Sequence, residues 1–405
     1  MADLPLISLL LLSLPFGALL IWLLPERYAR VVALVTALLD LLVAMLVVAQ
    51  FDSRTGGFQM LEQAPWIPTL DVYYKVGVDG ISVLFLPLTV LLFLAVLLAS
   101  WNQVRLMPRL FFSLLLLLES ATLGVFCALD TMLFFLFWEL SLLPLYFLVS
   151  HWGVGPNRRF AAVKYSLFML AGGIPLLFGF LVLALGHAGS EGVPLFDLVR
   201  LLELGTPAHL QTLVFFLLLA GFAVKAPLVP FHTWLPVVAM EGPVAVVALL
   251  AGLKLGLFGL IRFVVPLAPE AAQSYHWLLA GLGVLGILYG ALGALAQSNL
   301  RRMLAFSSVS HVGLVVLGVS SFSLQGIQGA LFQLLNFIVI SGGLFLLSGF
   351  LHQRIGSTEA VNLGGGAQGM PLLSAFFFLF ALASLGVPGT SGFPAEFLLL
   401  FSALQ

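Results

Sequence analysis

The sequence predicts an all-α fold, a polytopic membrane helix bundle, and three observations carry that reading. Of 405 residues, 61% are hydrophobic and 8% charged, with a mean hydropathy of +1.17. Ordinary soluble domains do not have this composition. The apolar residues gather into stretches close to the roughly 20 residues that a spanning helix needs. A few charges sit inside those stretches and not between them: Glu139, Lys225, Lys254 and Glu396.

Taken in order, the expected spans are 4–24, 29–50, 80–101, 109–129, 131–150, 162–186, 209–226, 242–264, 275–297, 301–321, 325–351 and 371–387. A last piece, 394–405, is cut by the chain end. The first span lacks a basic leading region and a small-residue cleavage site, so it reads as a true membrane helix and not a removable signal. Two long connections stand out, 51–79 and 187–208. In the second, Asp197, Arg200 and Glu203 recur every third residue among leucines. That spacing gives a short helix with one polar face, either lying at the membrane surface or capping the bundle.

Two spans should be discontinuous. Pro227 and Pro230 follow Lys225 closely, and Gly386, Pro388, Gly389, Gly392 and Pro394 precede Glu396. Proline removes a backbone donor and glycine loosens the turn. Broken spans at matching places in two halves point to inverted repeats, with an ion site at the break. The expected organisation is therefore residues 1–108 as N-terminal helices 1–3 with a connecting loop, and 109–266 as a first antiporter-like five-helix repeat (helices 4–8). Residues 275–405 form a second, incomplete repeat (helices 9–12), and the broken helices are 7 and 12.

Loops after odd-numbered spans carry Arg27, Arg30, Arg105, Arg109, Arg158, Arg159, Lys164, Arg301, Arg302 and Arg354. The opposite loops carry only Arg54, Lys75, Arg200 and Arg262. By the positive-inside rule the first group is cytoplasmic and the N-terminus is non-cytoplasmic. A formal charge of −1 argues against a nucleic-acid partner. Cys127 is the only cysteine, which excludes an internal disulfide and a cysteine-ligated iron–sulfur cluster.

An ionisable group at membrane depth costs about 2.5–3.5 kcal/mol on insertion scales, so such groups tend to mark ion or proton paths. An acid, two bases and a second acid make a proton relay. Lys225 leads it, because low dielectric disfavours a charged ammonium and lets a lysine exchange protons near neutral pH. A glutamate that moves nearer or farther would load or unload that lysine, and Glu139 is the candidate partner. The alternative is a static buried ion pair between two helices. Lys254 lies in GLKLG, where Gly252 and Gly256 let another helix approach. It passes a proton onward or snorkels to an interface. Glu396 is a proton exit or a cap on the half-helix that follows it. His232 and His311 titrate near neutral pH and are either intermediates or packing residues. Lys164 follows Arg158 and Arg159 at the mouth of span 6 and is a further carrier or an anchor.

Some letter patterns carry no such chemistry. Gly281, Gly283 and Gly286 match a dinucleotide fingerprint but lie inside an apolar span with no preceding strand, and read as helix-packing glycines. Gly364, Gly365 and Gly366 form a loop. No paired His/Cys metal spacing or nucleophile elbow is present.

The run AGFAVKAPLVPFHTWLP, 220–236, resembles the signature of the antiporter-like membrane subunits of respiratory complex I, the proton-translocating NADH:quinone oxidoreductase. FWELSLLPLYFL, AAVKYSLFMLAG, LRRMLAFSSVSHVGLVVLG and SLGVPGTSGFPAEFLLL extend the likeness to nearly the whole chain, closest to the M-type (subunit 4) branch. The resemblance implies a proton-channel module related to sodium/proton antiporters. The family's glutamate falls at Glu139, its bridging lysine at Lys225, its central lysine at Lys254 and its terminal acid at Glu396.

The resemblance also implies no cofactor in this chain, with NAD(P)H, flavin, iron–sulfur clusters and quinone in partner subunits. The implied partners are sister antiporter-like and small membrane subunits and the lipid bilayer. The location is a bacterial inner membrane, or a thylakoid membrane for a cyanobacterial chain. The chain departs from the family in several places. Val237, Val238 and Ala239 stand where Asp-Ala-His is usual, and Met240, Glu241, Gly242 and Pro243 resemble the sister L-type subunit. The stretch before Lys254 is two residues short, about 200° of helical rotation, while KLGLFGLIRF keeps the register. Phe337, beside Asn336, replaces a family histidine. The family usually has fourteen helices, and this chain stops within the twelfth.

The expected function is proton translocation within a quinone-reducing complex. Rival readings are a cation/proton antiporter subunit, a membrane-bound hydrogenase subunit, a cyanobacterial carbon dioxide-uptake subunit, and a proton-inert scaffold.

Overall fold

A computed structural model describes residues 4–188 and 193–404. In chain order it contains α1 (Leu6–Leu23), α2 (Ala29–Gln50), β1 (Gln59–Ile67), β2 (Val72–Val78), α3 (Phe85–Ser100), α4 (Pro108–Cys127), α5 (Thr131–Leu140), α6 (Leu142–Trp152), α7 (Arg158–Gly186), α8 (Leu198–Leu204), α9 (Ala208–Lys225) and α10 (Trp234–Glu241). Then follow α11 (Val244–Gly252), α12 (Leu255–Gly259), a π-helical turn (Leu260–Val264), α13 (Val265–Leu267), α14 (Pro269–Ser274), α15 (His276–Leu295), α16 (Leu300–Ser320), α17 (Leu324–Ile355), α18 (Gly366–Gly369), α19 (Pro371–Ser384) and α20 (Gly392–Ala403). Among the described residues, ten helical segments are long and apolar enough to cross a membrane, and α3, α19 and α20 are shorter apolar helices. The chain is a multi-pass membrane protein. Its outward surface stays apolar, as lipid requires and water would not allow: Leu167, Ile174 and Phe178 of α7 are 61%, 61% and 54% exposed.

Local sequence explains where helices start and stop. Asp130 Oδ1 accepts the N–H of Met132 and Leu133 at 2.9 and 3.1 Å and so caps α5. Ser323 caps α17, accepting from Gly326 N–H at 3.0 Å, and Gly356 at φ +79° ends it. Asp197 caps α8, accepting from Val199 and Arg200. The expected polar face there thus consists of Arg200 and Glu203 alone, with Leu198 and Leu201 buried beneath them.

One element is new to the all-helical reading. The connection 51–79 holds an antiparallel hairpin, β1 with β2, turning through Pro68–Leu70 and Asp71 at φ +54°. Its second strand, VYYKVGV, has the β-branched and aromatic residues that favour strands.

The chain divides into two compact units: residues 1–148, 173–218 and 266–268, and residues 149–172, 219–265 and 269–405. In the first unit the hairpin is tied down by charge. Lys75 Nζ meets Asp197 Oδ2 at 2.6 Å, and Tyr73 N–H donates to Asp130 Oδ2 at 3.2 Å. Burial pushes the Asp130 carboxyl up from its ordinary 3.8 to about 6, against the pull of the N–H groups of Leu133, Tyr73 and Met132, and nearby Asp197 adds to the rise.

The folded chain therefore holds this proton where the unfolded chain has lost it. Stability falls as pH rises from about 4 to about 6 and is level above that. Asp130→Asn, which keeps a capping oxygen, is expected to remove a pH-dependent difference of at most about 3 kcal/mol. Thermal unfolding of the detergent-purified protein across that window checks this. An Asp130→Asn protein with the native pH dependence contradicts it.

In the second unit α15 and α16 pack along a glycine seam. A Cβ on Gly283 would meet Gly313 O at 2.8 Å, and Gly286 lies on Gly313 as well. These are packing glycines, as read from the sequence, whereas Gly281 has nothing within 4 Å.

Candidate functional site

Of the four charges that the sequence sets at membrane depth, Lys225, Lys254 and Glu396 lie at or just after helix discontinuities, whereas the backbone stays helical past Glu139. Glu139 comes two residues before Ser141, where α5 gives way to α6; Pro144 lacks the N–H that would bond back to Leu140. Lys225 is the last residue of α9. Lys254 sits between α11 and α12 with φ −93° and ψ 60°. Glu396 is in the second turn of α20, after the break that separates it from α19. The breaks at Lys225 and before Glu396 follow the prolines and glycines read from the sequence. The break at Lys254 does not, and the eighth span is not the continuous helix expected. Unwound backbone at membrane depth is tolerated only where protein or water satisfies its polar groups.

Glu139 belongs to the first unit. It is half-buried, and a Cβ on Gly173 of α7 would run into its carboxyl. The other six candidates belong to the second unit.

Within that unit the break at Lys254 abuts the end of α9. A Cβ on Gly256 would collide with the backbone of Phe222 and Ala226, so this glycine is what lets the Lys254 segment lie beside Lys225. Trp234 Nε1 donates to Val224 O at 2.9 Å and folds α10 back on the same end. Lys164 is half-buried in the second turn of α7, 6.0 Å from the Phe168 ring centre, and its charge reaches His232. His232 is 4% exposed and packs edge-on to Tyr289, with ring centres 4.7 Å apart.

Lys254 is 4% exposed, and its Nζ donates to Ser308 Oγ at 2.6 Å. The Phe337 ring centre lies 5.7 Å from that ammonium and 6.2 Å from the His311 ring. Phe337 thus lies close to two titratable groups that act on each other electrostatically. His311 Nδ1 faces Ser307 O at 2.9 Å and Nε2 faces Ser384 O at 3.1 Å. Both nitrogens can donate only in the imidazolium, whereas the neutral ring leaves one lone pair against a carbonyl. Glu396 Oε1 stands 3.7 Å from Nε2 and makes an ion pair with the ring only when the ring is protonated. The Glu396 carboxyl rests on Gly386 at φ +60°, in the break itself.

Sequence reading did not single out Ser308 or Asn336 as contributors. Asn336 Nδ2 donates to Ser391 O at 2.8 Å and ties α17 to the break before α20. Its only signal was a polar residue beside Phe337 in an apolar helix. The altered stretch after Pro236 forms α10 and a fixed corner: Glu241 Oε2 accepts from Asn157 N–H at 2.7 Å, and Arg301 Nη2 donates to Gly242 O at 2.8 Å. Among the described residues no group of His, Cys, Asp and Glu could hold a metal ion.

Comparison with known proteins agrees with this architecture. A family model described as "NADH:quinone oxidoreductase/Mrp antiporter, TM" matches residues 128–405. The NADH-quinone oxidoreductase subunit M of Rickettsia conorii is 38% identical over 377 residues, 92% of this chain and 75% of that one. The NAD(P)H-quinone oxidoreductase chain 4 3 of a Picosynechococcus species is 40% identical over 400 residues, 97% of this chain and 72% of that one. Among solved structures, a chain of respiratory complex I from Thermus thermophilus with bound NADH has a TM-score of 0.89 at 37% identity, covering 98% of this chain and 82% of that one. On the matched segment, the identities and the shared backbone, this chain belongs to the NADH:quinone oxidoreductase/Mrp antiporter family of membrane subunits.

Proposed function

We propose that the chain is the proton-translocating membrane subunit of an NADH- or NAD(P)H-quinone oxidoreductase complex. The observation that carries this is the coincidence of titratable side chains with helix breaks, above all Lys254 on Ser308 with His311 and Glu396 beyond Phe337. Protons move through Lys225 and Lys254 to His311 and Glu396, with Lys164 and His232 as side members. Glu139 is the acid at the head of the relay, as the family resemblance implies. The relay is organised as two inverted repeats, the second carrying α19 and α20. Electrons travel elsewhere: NAD(P)H, flavin, iron–sulfur clusters and quinone belong to partner subunits, and sister antiporter-like and small membrane subunits flank this chain in a bacterial inner or thylakoid membrane.

In the assembled complex, Glu139→Gln is expected to suppress redox-driven proton uptake nearly as fully as Lys225→Ala, since an amide does not change charge. Glu139→Asp is expected to be milder. Normal uptake by an assembled Glu139→Gln complex would instead support a proton-inert scaffold. The N-terminus is non-cytoplasmic on this reading. In a Cys127→Ser background, a cysteine at Arg158 should react with an impermeant thiol reagent only from the cytoplasmic side, and one at Arg54 only from the other. The reverse labelling overturns the orientation.

A further inference from the structure

The four N-terminal helices enclose two acids that the relay does not use. Asp40, midway along α2, is fully buried, and Glu119 on α4 is 1% exposed. Each carboxyl is within electrostatic reach of the other. Ser13 Oγ of α1 donates to Asp40 Oδ1 at 3.0 Å. Asp40 Oδ2 and Glu119 Oε1 are buried and have no hydrogen-bond partner among the described residues.

Among the described residues no basic group is paired with either carboxyl. Helices α1 and α3 contain no charged residue. The basic residues of α2 and α4 are Arg30 and Arg109, which donate to the carbonyls of Val104 and Leu24 at 2.7 Å. Each lies ten residues from the acid on its own helix, about 15 Å along the axis. The hairpin's charges are engaged elsewhere. Glu62 accepts the N–H of Ile7 and Ser8 at 2.8 and 2.9 Å, and Lys75 meets Asp197. Tyr74 shares a hydrogen bond with Ser8, and the remaining titratable group of these helices is the buried Cys127.

An uncompensated carboxylate is not tolerated in such an interior, and two within reach of one another also repel. A metal ion would require several converging oxygens, yet among the described residues the one hydroxyl donated to the pair is that of Ser13. We propose that Asp40 and Glu119 form a coupled proton-binding site, distinct from the relay, that holds at least one proton between its two carboxyls at neutral pH. On release an O–H bond breaks, the proton passes to water and the electron pair stays on the carboxylate. Occupancy then changes the buried charge of these helices by one.

The test is infrared difference spectroscopy of the purified native complex, titrated upward from neutral pH. It is expected to show loss of carboxylic acid C=O absorption with matching gain of carboxylate. The double variant D40N/E119Q should lose that signal, and each single variant should keep one carboxyl titrating at a different pH. Ser13→Ala, which removes only the donated hydroxyl, should displace the C=O band without abolishing it and serves where D40N does not assemble. A native signal that survives unchanged in the double variant overturns the proposal, as does a band unmoved in Ser13→Ala. Suppression of the native band when sodium replaces potassium overturns it too, because a metal ion then occupies the site.

Discussion

Replacing Lys254 by alanine leaves an assembled complex in which redox-driven proton translocation falls on the order of a hundredfold, the usual contribution of a positioned acid–base group. The side chain is 4% exposed, and its ammonium donates a hydrogen bond to Ser308. Truncation therefore removes a costly buried amine and breaks no ion pair that holds helices together, so assembly should survive and can be checked by co-purification of the partner subunits. Lys254→Arg is expected to fail as well, because a guanidinium keeps its proton throughout the accessible pH range. An active arginine variant would mean that fixed positive charge, and not proton exchange, is what this position supplies.

Glu396→Gln is the second large effect, with translocation down about tenfold to a hundredfold. The His311 ring sets both nitrogens against carbonyls, and Glu396 at 3.7 Å is placed to balance the imidazolium whenever the ring takes up a proton. A glutamine neither balances that charge nor accepts the proton, so the relay stops at the histidine. Glu396→Lys is expected to retain part of the activity, since a titratable group is still present in the break beside Gly386. Equal loss in both variants would assign Glu396 to capping α20 and not to proton transfer. Proton uptake by proteoliposomes distinguishes these outcomes.

Much of this was legible in the sequence because the bilayer imposes a simple rule on it. Apolar stretches fixed the helices to within a few residues, and prolines and glycines after Lys225 and before Glu396 announced two of the breaks. The break at Lys254 had a weaker local signal. In GLKLG, glycine lowers helix preference by about 1 kcal/mol per residue, and that bias becomes an unwound turn only through contacts with Phe222, Ala226 and Ser308, distant in sequence. The hairpin was hidden because its alternation is short and partly exposed on both faces. Phe337 was legible as a departure from the family pattern. Its closeness to both Lys254 and His311 was not, since it depends on how α12, α16 and α17 converge. Ser308 and Asn336 escaped notice for the same reason: a lone serine or asparagine in a membrane helix gains meaning only from what it faces.

The central claim is that this chain carries protons through its own buried charges, driven by electron transfer elsewhere. The most direct measurement is the number of protons taken up per electron pair by proteoliposomes holding the purified complex, native against Lys254→Ala. Quinone reduction is followed in the same vesicles, and an uncoupler serves as control. The account predicts uncoupler-sensitive uptake by the native complex and a lower proton count per electron pair in the variant. An assembled Lys254→Ala complex with the native ratio would contradict it.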